Sequence, residues 1–237
     1  MLTLLQKDVS DPAPLNLDQL IDDRAQRLTQ YQNGAYAQRY RDRVAKVRKA
    51  DPQAEIKDSI TFAVAQNLYK LMAYKDEYEV ARLYSDGKFQ HQLREQFEGD
   101  FQLRFNLAPP LFSKRDPNTG HLMKQEFGPW MLQAFGLLAK FKFLRGTALD
   151  IFGRSEERRQ ERADIEEYRQ LLEAILPDLA NDNYAAALQL AELPGKLRGF
   201  GHVKDRNREQ LASRRNELMA EFRGDQLATE LRVIAAA

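Results

Sequence analysis

The chain has 237 residues, 43% hydrophobic and 30% charged, enough apolar material for a sizeable core in one large domain or two small packed ones. Thirty-six Lys and Arg face thirty-five Asp and Glu, and this near-neutral balance argues against the positive field that nucleic-acid or membrane-surface binding needs. Cysteine is absent, which excludes disulfides, thiolate zinc sites, cysteine nucleophiles and cysteine-ligated clusters within the chain and fits a cytoplasmic setting.

In chain order, Met1–Asp11 lacks the basic segment and apolar run of a secretory signal. Residues 1–14 read as a leader and linker ending at Asp11-Pro-Ala-Pro14, because proline cannot continue a helix. Leu15 to Tyr31 is predicted as a helix with Leu17, Leu20, Ile21 and Leu28 on one face, capped by Asn16 with Gln19 three residues on. Asn33-Gly34 breaks it, and Tyr36, Tyr40, Val44 and Val47 carry a second helix to Asp51-Pro52. A third and longest helix is expected from Ser59 to Tyr84, followed by a short one from Lys88 to Phe97.

The period then changes. Phe101, Leu103, Phe105 and Leu107 alternate with polar residues, as on a strand with one buried face. With the turn signal Asp116-Pro-Asn-Thr-Gly120 and a returning segment Leu122–Phe127, this predicts one β-hairpin over residues 100–127. Trp130 to Leu144 reads as a helix buried on most sides, with Lys140, Lys142 and Arg145 complementing the dipole at its carboxy end. A charged helix starts at Ser155 and runs to Leu176. Another spans Asn181–Leu193 and breaks at Pro194-Gly195, and a last one ends near Arg223 before a frayed tail, 224–237. The expectation is a mainly α fold, a multi-helix array with one inserted hairpin, forming a single domain over 15–223. No stretch approaches the ~18 consecutive apolar residues of a membrane span.

Little in the chain carries chemistry. His91, His121 and His202 stand alone, without the spacing of a metal pair. No P-loop and no Gly-x-Ser-x-Gly is present. Two constellations remain. Lys75, Asp76, Glu77, Tyr78, Glu79 and Arg82 lie on the predicted long helix, where Leu71, Lys75, Tyr78 and Arg82 would stack on one face and Lys75 would reach Glu79 one turn on. They read either as a docking or catalytic charge cluster or as a buried ion-pair network that fixes helix register. Arg198, Gly199, Gly201, His202 and Lys204 form a loop that reads either as an anion contact at a helix amino terminus or as a sharp turn. Arg154 to Glu167 mixes both signs and reads as a solvated helix face.

Several runs together carry a resemblance. They are Leu28–Tyr40, Lys70–Tyr84, Phe97–Asp100, Leu103–Leu111, Glu126–Met131, Leu144–Thr147 and Arg198–Lys204. This set resembles the carboxy-terminal domain of the long, fused bacterial indolepyruvate ferredoxin oxidoreductases, over roughly Leu15 to Arg223. The resemblance implies a parent enzyme that uses thiamine diphosphate, Mg2+ and 4Fe-4S clusters to decarboxylate aryl pyruvates oxidatively to acyl-coenzyme A. It also implies that ferredoxin and the other domains of that enzyme are the partners. The chain itself has no cysteine for a cluster and no Gly-Asp-Gly stretch followed by Asn for a magnesium diphosphate. Those cofactors are therefore expected elsewhere in the parent, with no catalytic, cofactor or metal residue here. The expected role is an accessory domain; the alternatives are a stand-alone protein-interaction module or a small-anion or coenzyme A contact at the Gly199–Lys204 loop.

Overall fold

A computed structural model describes residues 15–97, 99, 102–107, 123–198 and 202–224, apart from the side chains of 202–205. Nine α-helices and one two-stranded sheet occur among the described residues: α1 Leu17–Tyr31, α2 Gly34–Ala50, α3 Ile60–Met72, α4 Glu77–Ser85, α5 Lys88–Gln96, β1 Phe105–Leu107, β2 Gln125–Phe127, α6 Met131–Lys140, α7 Glu156–Ile175, α8 Tyr184–Lys196 and α9 His202–Phe222. The fold is mainly helical, as expected. Local chemistry starts α1, α3 and α7 where the sequence indicates. Gln19 N donates to Asn16 Oδ1 at 2.9 Å while Asn16 N donates to Gln19 Oε1 at 3.1 Å, a complete capping box. Ser59 and Ser155 cap α3 and α7 through their hydroxyls.

The main core lies among α1, α2, α3, α7, α8 and α9, with Leu28, Tyr40, Val44, Leu68, Ile175, Leu190 and Leu218 sealed from solvent. Its tyrosines are buried with their hydroxyls satisfied, as the low dielectric requires. Tyr40 donates to Ala65 O at 2.9 Å and Tyr168 to Ala191 O at 2.7 Å. Tyr184 donates to Asp51 Oδ1 at 3.0 Å, and Asp51 Oδ2 accepts from both Thr61 N and Thr61 Oγ1, which welds the end of α2 to the start of α3.

A second, smaller core forms where α4 and α6 pack together under the hairpin: Ala81, Phe105, Met131 and Phe135, with Tyr84 stacked on Phe135 at 5.3 Å. The strands pair antiparallel, Phe105 opposite Phe127 and Leu107 opposite Gln125. They are shorter than the alternation suggests, and the Asp116–Gly120 turn lies outside the described residues.

Four expectations are corrected. The long helix from Ser59 to Tyr84 is two helices, because Asp76 takes extended backbone (φ −96°, ψ 179°) and caps a new helix by accepting from Glu79 N at 2.8 Å. The helix expected to break at Pro194-Gly195 continues to Lys196. Carbonyls at this end of the helix are bonded from outside it. Ala191 O accepts from Asn67 Nδ2 and Tyr168, and Lys70 Nζ donates to Pro194, Gly195 and Leu197 carbonyls at 2.9–3.0 Å. A Cβ at Gly195 would sit 2.9 Å from Asn67 Oδ1, so a larger residue there would push that side chain aside.

The third correction concerns the segment expected to be buried on most sides. Only Met131 and Phe135 of α6 are buried, whereas Trp130, Leu137 and Phe143 are 58–60% exposed. The fourth concerns Lys142 and Arg145, whose hydrogen bonds cap the carboxy end of α1 rather than that of their own segment. Lys142 Nζ donates to Gln30 O at 2.5 Å and Arg145 Nη1 to Tyr31 O at 2.6 Å. Helix α1 has no basic residue in its own last turn, so the dipole is met by cations from more than a hundred residues away.

Candidate functional site

The break between α3 and α4 divides the predicted charge cluster in two. Lys75, Glu79 and Arg82 line an open groove of about 500 Å³ between α1 and α4, together with Asp23, Arg27 and Asp86. Lys75 is exposed, in the loop before α4, and does not extend the apolar stripe. Glu79 pairs with Arg82 instead, at 2.7 and 2.9 Å, and Arg82 reaches Asp86 at 3.4 Å. Asp23 is held by Arg24 and Arg27. The groove therefore carries balanced, mostly paired charge.

Asp76, Glu77 and Tyr78 turn the other way, into the junction between the two cores. Asp76 and Arg145 are each under 5% exposed and meet side-on, Nε to Oδ2 at 2.5 Å and Nη2 to Oδ1 at 2.8 Å. The guanidinium lies 3.7 Å over the Tyr31 ring. Burial opposes the charged form of Arg145, but its bonds to Asp76 outweigh this and hold its pKa above the ordinary range. Asp76 accepts three hydrogen bonds in all, the third from Glu79 N, so it is committed to structure.

Tyr78 donates to Asp150 Oδ1 at 3.4 Å and packs edge-on against Phe152. Asp150 is buried and also accepts from Gly153 N at 2.9 Å and, through Oδ2, from Gly146 N at 2.8 Å, closing the loop from Gly146 to Gly153. Burial, reinforced by Asp150, pushes the Tyr78 phenol up to about 12. Glu77 faces Arg158, which is also paired with Glu161. Its Oε2 stands 3.6 Å from Arg158 Nε, and neither buried atom has a hydrogen bond. Desolvation raises the Glu77 pKa above the ordinary 4.5 despite the nearby guanidinium.

Beside this junction lies a cleft of about 280 Å³ lined by Tyr36, Arg39, Arg43, Tyr74, Arg145 and Arg162, among others. A second open bowl of about 590 Å³, with Thr147, Arg154 and Arg159, shares Gly146 and Arg162 with it. Three of the sequence runs quoted above meet here: Tyr31 and Tyr36 from Leu28–Tyr40, Tyr74, Asp76 and Tyr78 from Lys70–Tyr84, Arg145 and Gly146 from Leu144–Thr147. Sequence spacing missed Arg39, Arg43, Asp150, Arg158 and Arg162. The available signal was Arg145 itself, a guanidinium directly following an apolar segment.

The Gly199–Lys204 loop falls largely outside the described residues. Arg198 is exposed and its backbone N donates to Asn207 Oδ1 at 2.9 Å, while His202 and Lys204 lie in the first turn of α9. Gly199 and Gly201 are not among the described residues. No group of three or more His, Asp or Glu among the described residues is placed to hold a metal ion, and no described helix is long and apolar enough to cross a membrane.

The chain belongs to DUF6537, a family of unknown function, which matches residues 17–217. No curated protein and no solved structure matches it.

Proposed function

We propose that this member of DUF6537 is an accessory, non-catalytic domain at the carboxy terminus of an indolepyruvate:ferredoxin oxidoreductase. Its work is to pack against the domains that hold thiamine diphosphate, Mg2+ and the 4Fe-4S clusters, in an enzyme that converts aryl pyruvates to acyl-coenzyme A and passes electrons to ferredoxin. The donor set of this chain does not fit those cofactors. It has no cysteine, and among the described residues the buried carboxylates are committed within the chain, Asp76 and Glu161 to arginines and Asp51 and Asp150 to hydroxyl and backbone donors.

One observation carries the reading. From Leu137 to Ile151 the chain presents Leu137, Phe141, Phe143, Leu149 and Ile151 at 41–69% exposure, with Trp130 at 58% beside the hairpin. Large apolar side chains concentrated in one stretch call for a neighbouring protein surface. The sequence resemblance supports an oxidoreductase domain as that neighbour.

The test compares the parent oxidoreductase with and without this domain, using indolepyruvate, coenzyme A and a viologen acceptor, beside the full enzyme bearing Leu137→Ser and Phe143→Ser. The expected result is a truncated enzyme that keeps its clusters but loses assembly or turnover, with the double variant loosening the domain. A double variant that assembles and turns over normally, beside an equally intact truncated enzyme, overturns the reading.

A further inference from the structure

We propose that the cleft between α2, Tyr74 and the first turns of α7 is a binding site for a small phosphate-bearing anion, gripped by Arg39, Arg43 and Arg162 above Arg145. The charge count points there. Among the lining residues the cleft has four guanidiniums and one carboxylate, Glu166. Glu166 is already taken by Arg169, whose Nε donates to its oxygens at 2.9 and 3.0 Å. Arg145 is matched by Asp76. That leaves Arg39, Arg43 and Arg162 without a carboxylate at ion-pair distance among the described residues, although Arg43 also feels the charge of Glu166.

Each of the three is available. Arg39 and Arg43 have no carboxylate within ion-pair distance among the described residues, and Arg39 rests over the Tyr36 ring at 5.1 Å. Arg162 Nη2 donates to Gly153 O at 2.6 Å and its side chain also bonds the Tyr74 phenol, while its Nη1, beside Gly153, is buried without a hydrogen-bond partner. A buried guanidinium nitrogen left unpaired is costly, and an oxyanion is the group that relieves it. Arg145 uses three of its N–H groups, on Asp76 and Tyr31 O, out of the five a guanidinium carries.

The chemistry selects the ligand class. A lone carboxylate matches one of the three charges, whereas a phosphate ester or pyrophosphate brings two or more charges and several acceptor oxygens suited to planar guanidinium forks. Burial keeps the Tyr74 phenol protonated, so it acts as a neutral wall rather than a competing anion. The adjoining bowl past Gly146, with Arg154 and Arg159, leaves room for the remainder of an organic phosphate. None of this depends on the assignment to an oxidoreductase, so the full 237-residue chain is tested alone.

The experiment is calorimetric titration with inorganic pyrophosphate, inorganic phosphate and adenosine diphosphate. It is applied to the wild type, the Arg39→Ala/Arg43→Ala variant, Arg39→Ala alone and Arg94→Ala, an exposed arginine on α5. Expected are saturable one-site binding of pyrophosphate, tighter than phosphate, at least about tenfold weaker in the double variant and unchanged in Arg94→Ala. Adenosine diphosphate binding more tightly than pyrophosphate supports an organic phosphate as the occupant; the reverse order supports an inorganic one. No saturable pyrophosphate binding, or equal weakening by Arg94→Ala, overturns the site. Circular dichroism checks folding, and if the double variant fails to fold, Arg39→Ala alone decides.

Discussion

Arg145 and Asp76 stand 69 residues apart in the chain and meet in a two-point ion pair, buried where the main core joins the smaller one. The same arginine closes the end of α1 through Tyr31 O, and the same aspartate opens α4 through Glu79 N. Two residues thus tie together three elements that share no local sequence.

Arg145→Met leaves Asp76 buried without its partner and is expected to cost about 3–5 kcal/mol. Asp76→Asn keeps a capping side chain but removes the charge, which separates ion pair from cap. The double variant should lose less than the sum of the singles, because each single strands the other's charge. Urea unfolding of the four proteins measures this; strict additivity means the pair is not coupled.

Two glycines should respond with opposite sign. A Cβ at Gly153 would meet Asp150 Oδ2 at 2.2 Å, where that carboxylate closes the loop, so Gly153→Ala is expected to destabilise by about 1–3 kcal/mol. Gly136, inside α6, has nothing within 4 Å of its added Cβ. Gly136→Ala should stabilise by about 0.5–1 kcal/mol. Thermal denaturation of both distinguishes crowding from backbone entropy.

Lys70→Met removes the donor that gathers the last carbonyls of α8 behind Pro194. Because the group is exposed, a loss of only about 0.5–1 kcal/mol is expected, diminishing with salt. Amide exchange should show faster opening at the end of α8 while α3 stays protected. Unchanged exchange at Leu193–Leu197 refutes the capping role.

Glu77 sets a pH dependence. Its folded pKa is raised, so the folded chain holds this proton more tightly than the unfolded one. Its favourable contribution is complete below the ordinary 4.5 and is lost as pH rises through the raised value. Glu77→Gln should flatten the stability-against-pH curve in that window. Parallel curves for wild type and variant across pH 4–7 contradict it.

The helices and the hairpin were legible because their signals are local. Asn16 with Gln19, Ser59 and Ser155 act within one turn, and alternation around Phe105 reports a half-buried strand. The candidate cluster from Lys75 to Arg82 was seen as a group, but its division into a groove side and a buried side was not. Periodicity assumes an unbroken helix, whereas Asp76 opens α4 through a local cap on Glu79 N and is turned into the interior by Arg145, far along the chain.

By itself, then, the sequence determined the mainly helical class, most helix starts and the absence of thiol chemistry, all consequences of residue type and short spacing. Tertiary structure alone decided which charges are buried and paired, which cations close α1 and α8, and which apolar residues of α6 stay outside. Those outcomes depend on partners brought together by packing across 69 to 127 positions, a distance at which local spacing holds no information.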